Sequence, residues 1–518
     1  MDSTFVIQLS ELLRTNTALL EVDKTKFARP CSQLADMEVY ENSLVVKSNA
    51  LLFLGRRDKE KLLGIISKNG IADFDSSLKQ IAGGQPIQLQ ICPINPTNTM
   101  ALQKTLVYTL PAVVGLKKSV GLGDRLGLAT PGHVRAVRQH KMFPIFAQQS
   151  IREMQRTNRT PAQVIQDAVW GVFQEGWQGG FGADADHLKT TEDIDRCAEA
   201  GFTFYTIDPS DYVDDAADTD EHEVLQKKVA SLPWDALQTS LVETEKKYLN
   251  QVVKTEYFET EFNKETLFRA AAKYGRAIAH TAGLFRHLKS KLDDKPFELE
   301  MSVDETGTPT SILEHFFIAS QLQRLDVEWA SLAPRFSGKF EKGVDFIGEQ
   351  EQFEATFTQH LSIAKLFEPY KLSLHSGSDK FSIYPFIARQ AGDLIHLKTA
   401  GTSYLEALRV VAEHDPDLFS EIFAYALESY PNDRISYHVS AQPTQLEDQQ
   451  SLNSDIVDQF DYRQMLHVTF GSVLTARRAD GSTRFFTRLL KTLRNHEESY
   501  AQALELHIGK HLTPFDEY

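Results

Sequence analysis

From about residue 117 one alternation recurs eight times: a short apolar run, a polar exit, then a helix start. The runs are 119–128, 142–148, 180–189, 202–209, 297–305, 327–334, 370–376 and 394–401. Thr130-Pro131 and Thr160-Pro161 each set a hydroxyl acceptor before a proline, the pattern of an N-cap followed by Pro at the first helical position. Gly201 suits the left-handed residue that closes a helix before the next strand. Eight β-then-α units predict an α/β chain with a (β/α)8 TIM barrel over 116–430, and a helical insert at about 219–290. Residues 1–115 alternate strand-like and helical runs, SLVVKSNALLFLGR and IQLQICPI among them, and predict an N-terminal α+β domain without a chemical motif. After about 430 come YHVSAQP, the polar run QLEDQQSLNSD and amphipathic stretches, which predict a C-terminal helical extension over 431–518 packed on the barrel.

A barrel of this kind carries its chemistry at the C-terminal strand ends. Strand one exits through GLGDRLGLATPGH, where Arg125 suits an anion, or equally a salt-bridged loop. Strand three brings Asp184, Asp186, His187 and Lys189. Strict alternation points Asp186 and His187 to opposite faces, so joint service in one site requires a bulge or a strand end there. Strand five places Glu298, Glu300, Ser302 and Asp304 on one face and Leu299, Met301 and Val303 on the other. The apolar face belongs against helices, leaving carboxylates inside the barrel, for acid/base work or for pairing with an internal lysine. Arg335 and Lys339 follow strand six, His375 and Lys380 mark the exit of strand seven, and His396 and Lys398 lie on strand eight. The tetrapeptide HLKT occurs twice, at 187–190 and 396–399. Imidazoles on strands three, seven and eight, facing one opening, make a divalent-metal site.

Formal net charge is -16, which argues against a nucleic-acid binder. Lys and Arg gathered at one end of an acidic protein favour a small anionic substrate. No apolar run approaches the ~20 residues of a membrane span, and the start MDSTFVIQLS lacks the basic region of a secretory signal. Cys31, Cys92 and Cys197 form no CxxC pair and predict reduced thiols in a cytoplasm. The glycine-rich GLGDRLG lacks the spacing and acidic partner of a dinucleotide fingerprint. Oligomeric state is not legible.

GLGDRLGLATPGH, GADADHLKT, APRFSGKFEKGVDFIG, LHSGSDKFSIYP and HLKTAGTSYLEALR resemble the tagaturonate/fructuronate epimerases of bacterial hexuronate breakdown, over roughly residues 117–440. The resemblance implies an enzyme that interconverts the keto-hexuronates D-tagaturonate and D-fructuronate with one divalent cation. A His-rich site of this kind does not separate Zn, Mn, Fe, Co and Ni. It implies ligation by His187, His375 and His396 and a proton acceptor at Asp186. It also implies a proton donor on strand five, with Glu300 first and Glu298, Asp304 and Glu305 as alternatives. Arg125, Lys189, Arg335, Lys380 and Lys398 are the candidates for holding the substrate. A rival on the same barrel is an aldolase or sugar isomerase using Lys189 or Lys398 as a Schiff-base amine. A non-catalytic sugar-acid-binding protein is a second.

Overall fold

The computed structural model describes residues 3–81, 87–445 and 452–517. Within the polar run after YHVSAQP, residues 446–451 lie outside the described ones. Eight parallel strands close into a barrel. In chain order they are strand one (Ser119–Gly123), two (Phe143–Ser150), three (Gly182–Leu188), four (Phe204–Ile207), five (Glu298–Val303), six (Ser331–Pro334), seven (Lys371–Leu374) and eight (Ile395–Lys398). Each pairs with the next, and strand eight returns to strand one through His396↔Ser119 and Lys398↔Gly121. All eight expected strands are present.

The period-two alternation sorts each strand into two faces. Val120, Leu122, Leu299, Met301, Val303, Leu372, Leu374, Ile395 and Leu397 turn outward into the core shared with the surrounding helices. The inward positions are mostly polar and buried, Ser119, Asp184, Thr206, Glu298, Glu300, Lys371, His396 and Lys398 among them, with the Phe204 ring beside His396. Barrels more often fill this space with branched apolar side chains. Polar filling is costly unless each group finds a partner. Here bonds cross the barrel: Lys371 Nζ reaches Ser119 Oγ at 3.1 Å, and Lys398 Nζ reaches Thr206 Oγ1 at 2.7 Å.

Thr160 caps the helix Pro161–Gln174 as expected, and Gly201, at φ +93°, ends the helix Thr191–Ala200. Thr130 does not cap. It is the first helical residue of Thr130–Arg138, and the Asp124 carboxylate instead accepts from the amides of Leu126, Gly127 and Ala129. The segment expected as a helical insert holds two short helices, a two-stranded ribbon (Val252–Lys254 with Glu259–Glu261) and a 29-residue helix, Lys264–Leu292.

The N-terminal part is a six-stranded antiparallel sheet buried on both sides. Along Ala50–Arg57, Ala50, Leu52 and Leu54 join the barrel's core, while Leu51 and Phe53 pack beneath the helices Ser3–Thr15 and Glu21–Ala35. The C-terminal helices surround Thr402–His414 with a second core. The last of them, Glu497–Leu512, packs on Thr130–Arg138 and sends Ile508 and Leu512 into the barrel's core. Lys118, immediately before strand one, donates to the Phe515 carbonyl at 2.5 Å. Among the described residues no helix is long and apolar enough to cross a membrane.

Candidate active site

A narrow cleft lies over the C-terminal ends of strands two, three, seven and eight. Its floor is Gln148, Asp186, His187, His375 and Lys398, and its walls include Arg125, Arg152, Lys342, Tyr437 and His467. A larger cleft lies between the N-terminal sheet and the last helix, but there Arg56 and Arg135 are each held by glutamates.

The floor is made by a bulge. Strand three pairs Ala185 with Tyr205 and then Leu188 with Ile207, so strand three carries one residue more than its neighbour. His187 absorbs it at φ +54°, a left-handed conformation rare for a residue with a Cβ. Asp186 and His187 therefore both face the cleft. His187 Nδ1 lies 3.2 Å from Asp208 Oδ2, which leaves Nε2 toward the cleft. The His375 ring sits 5.1 Å from that of His187. Its Nδ1 lies 3.2 Å from Asp304 Oδ1 and its Nε2 2.6 Å from Glu300 Oε1. Asp186, His187 and His375 each offer one atom within 4.8 Å of the other two. Lys398 Nζ stands among three carboxylates, 2.9 Å from Asp184, 2.7 Å from Asp186 and 2.9 Å from Glu300.

Asp184, Asp186, Glu300, Asp304 and Asp208 face Lys398, two imidazoles and, at Asp208, Lys189 at 3.8 Å, so the carboxylates are in excess whenever the rings are neutral. Burial opposes the charged imidazoles, yet the carboxylates outweigh it. His187 is raised to about 9, mainly by Asp186 and Asp208, and His375 to about 10, mainly by Asp304. Burial likewise pushes the Asp186 and Glu300 carboxyls up, but Lys398 and the imidazoles hold both below the usual range. At Asp184 burial prevails over Lys398, and its carboxyl rises to about 7. Among the described residues, Glu300 Oε2 and His396 Nε2 are buried without a hydrogen-bond partner. His187 turns Nε2 to the cleft, and His375, held on carboxylates at both nitrogens, would exchange one of them for an ion; with Asp186 beside the pair and carboxylates in excess of neutral rings, the group suits a divalent cation.

A family model described as tagaturonate epimerase matches residues 40–515. This chain belongs to that family. The epimerase is 41% identical over 498 residues to the tagaturonate/fructuronate epimerase of Thermotoga maritima, covering 95% of this chain and 99% of that one. It also matches crystal structures of the fructuronate-tagaturonate epimerase of Cohnella laeviribosi. A glycerol complex gives TM-score 0.86 at 36% identity, covering 95% of this chain and 99% of the other. The native form gives 0.85 at 34%, with 94% and 99% covered.

The epimerase brings only part of its expected set to the cleft. Asp186, His187, His375, Lys398 and Arg125 line it. Glu300 lies one layer beneath, touching His375 and Lys398. His396 is a correction: it is fully buried lower in the barrel, level with Ser119 and Ser373. Its Nδ1 lies 2.9 Å from Ser119 Oγ, and it is outside the group of three donors. Strand eight rises two residues from His396 to Lys398, so the lysine takes the mouth. Lys189 is outside the lining, 2.8 Å from Asp211 and 38% exposed. Arg335 is also outside, its amide bonded to Thr310. Lys380 is buried away from the cleft and gives its ammonium to the carbonyls of Glu341, Val344 and Ser378. Arg125 does line the wall, but Nε and Nη2 hold Glu153 at 2.9 and 2.6 Å, under the ring of Phe470.

The other strand-five carboxylates take separate posts. Glu298 accepts from the Val114 amide at 2.7 Å, Asp304 orients His375, and Glu305 pairs with Arg152 at 3.2 Å. Sequence reasoning missed Gln148, Arg152, Lys342, Tyr437 and His467. Lys342 stands inside APRFSGKFEKGVDFIG, and that was the available signal. Tyr437 and His467 come from the extension, where nothing marks them; His467 packs on Gly401, where a Cβ would collide with its ring.

Proposed function

We propose that the chain interconverts D-tagaturonate and D-fructuronate by cleaving and remaking a carbon–carbon bond. The stereocentre that differs is one carbon removed from the α position of the ketone and from that of the carboxylate. Neither carbonyl acidifies its C–H, so direct deprotonation faces a very high barrier. A retro-aldol step removes the difficulty. The hydroxyl on that carbon gives up its proton and the bond to the carbon beside the ketone breaks. The electron pair passes to the ketone side, and the released aldehyde turns and is attacked on its other face.

The observation that carries this reading is the pairing of two adjacent imidazoles with a ring of carboxylates bridged by Lys398. His187 and His375 would hold a divalent cation, with Asp186 the nearest carboxylate. A cation bound there supplies Lewis-acid stabilisation of negative charge on substrate oxygens. Asp186 takes the hydroxyl proton: it lines the cleft, Lys398 keeps it ionised, and Gln148 holds its second oxygen at 3.2 Å. After re-addition Asp186 returns that proton to the re-formed alkoxide; Glu300, itself held ionised, steadies Lys398, which links Asp186 to Asp184, whose carboxyl at about 7 can share a proton.

A Schiff-base route needs a neutral amine. Burial alone lowers Lys398, but its carboxylates raise it well above an ordinary lysine, and Lys189 sits outside the cleft. A proton NMR time course on tagaturonate, with and without chelator, tests the reaction together with metal analysis. Asp186→Asn is expected to keep the metal and lose about 10²–10⁴-fold in kcat. Loss of metal from that variant makes Asp186 a ligand and overturns its role as base.

A further inference from the structure

We infer that Lys342 is the anion anchor of the cleft, the group that receives the carboxylate of a sugar acid. The inference rests on the cleft being the substrate site proposed above. Lys342 comes from the loop after strand six, and its ammonium has one bonding partner, the hydroxyl of Ser376 at 2.6 Å. Among the described residues no carboxylate lies within ion-pair distance of it. Every other basic group expected to hold the substrate is taken or displaced: Arg125 by Glu153, Lys398 by three carboxylates, Lys189 by Asp211, Lys380 by carbonyls, and Arg335 by position. Arg152, also on the cleft, pairs with Glu305 at 3.2 Å and lies beside the ring of Tyr437. A part-buried ammonium facing a cavity with only a hydroxyl for company is an incomplete ion pair.

The loop around it is held as an anchor requires. Lys380 binds the carbonyls of Glu341 at 2.9 Å and Val344 at 2.5 Å, on either side of Lys342. Arg463 Nε binds the Gly343 carbonyl at 2.6 Å. The Glu341 carboxylate accepts from Ser440 and, at 2.8 Å, from Gln464. Three neighbours of Lys342 are thus fixed by groups from strand seven's exit and from the C-terminal extension. On the other side, Ser376 holds φ +50°, the second left-handed residue with a Cβ on the cleft, and its hydroxyl meets the ammonium. Ser376 directly follows His375. The anchor therefore lies beside the donors proposed to take the ketone end, in reach of the far end of a six-carbon acid. Lys380 and Arg463 are positioning residues, acting through the loop.

The test is calorimetric titration of metal-loaded full-length protein with D-tagaturonate and with D-tagatose, which carries a neutral CH2OH in place of the carboxylate. Wild type is expected to prefer the acid by tens-fold. Lys342→Met should bring the two affinities within about threefold, and Lys342→Arg should keep most of the preference. Retention of the preference in Lys342→Met overturns the assignment. So does an equal loss for both sugars, which marks a structural role. If Lys342→Met does not fold, the same ratio is read from Lys342→Gln. A wild type that prefers the acid yet never epimerises it removes the proposed reaction and leaves the anchor standing. A wild type that epimerises without acid preference removes the anchor alone.

Discussion

Among the described residues, two groups join one aspartate to two histidines, and their surroundings give them opposite characters. Asp186, His187 and His375 form one; Asp379, after strand seven, and His507 and His511, on the last helix, form the other. In the second, Asp379 Oδ1 lies 2.7 Å from His507 Nε2 and its other oxygen 3.0 Å from Arg463. The Asp379 amide donates to His511 Nε2 at 2.9 Å, and His511 Nδ1 lies 2.9 Å from the His507 carbonyl. Its acceptors are spent and a guanidinium already supplies the positive charge. Burial draws His511 down to about 4, so the ring is neutral. The first group has more carboxylate than cation and a cleft in front of it. Composition does not separate a metal-holding site from a structural knot. An open cleft and an imidazole nitrogen left facing it do, since His375, like His507, has carboxylates at both nitrogens.

The sharpest break of this comparison is to remove one ring from each. His375→Ala is expected to lose bound metal and more than about 10²-fold of turnover, since metal ligation and the acid/base network fail together. His511→Ala should keep its metal, retain turnover and lose about 1–3 kcal/mol of stability, read by urea unfolding, for the polar groups it strands. Equal metal loss in both variants would make the groups alike.

A second measurement sharpens it by counting protons. A metal ion binds neutral imidazole, and His187 and His375 are raised to about 9 and 10. At pH 8 both rings carry a proton, so metal binding should expel nearly two, read by titration in buffers of different ionisation enthalpy. The sign extends to stability. Raised imidazoles stabilise the metal-free fold fully below about pH 6.5 and lose that support as pH climbs through 9–10. The metal-free protein should therefore weaken over that window, while metal affinity strengthens. Release of well under one proton contradicts the charge surplus.

The smallest expected effect is at His396. Changing it to Asn should leave metal content unaltered and cost about 1–3 kcal/mol in a buried, partly satisfied site. Metal loss there restores it to the ligand set.

His396 also shows where reading from sequence stops. The outward apolar and inward acidic faces of strand five and the eight strands follow from alternation, and a bulge or strand end at Asp186-His187 follows once both are taken to serve one site. Depth does not. The two HLKT copies are identical on the page and opposite in space. In the first, the bulge lifts His187 to the cleft and sends Lys189 out to Asp211. In the second, an unbroken strand leaves His396 low and raises Lys398 to the mouth. One residue of phase makes the difference, and periodicity carries no marker for it. Lys342, Tyr437 and His467 reach the cleft from a loop and from helices whose placement depends on packing far along the chain.

The seal between Lys118 and Phe515 spans 397 positions. A ribosome adding about 5–20 residues per second needs roughly 20–80 s to cover that interval. Through all of it the Lys118 ammonium, at the entry to strand one, lacks the Phe515 carbonyl, although strand eight is in place from Lys398 onward. The eight strands are complete once Lys398 is made, but the last helix, which packs on the barrel, is not, so slowing synthesis is expected to expose that uncovered face for longer.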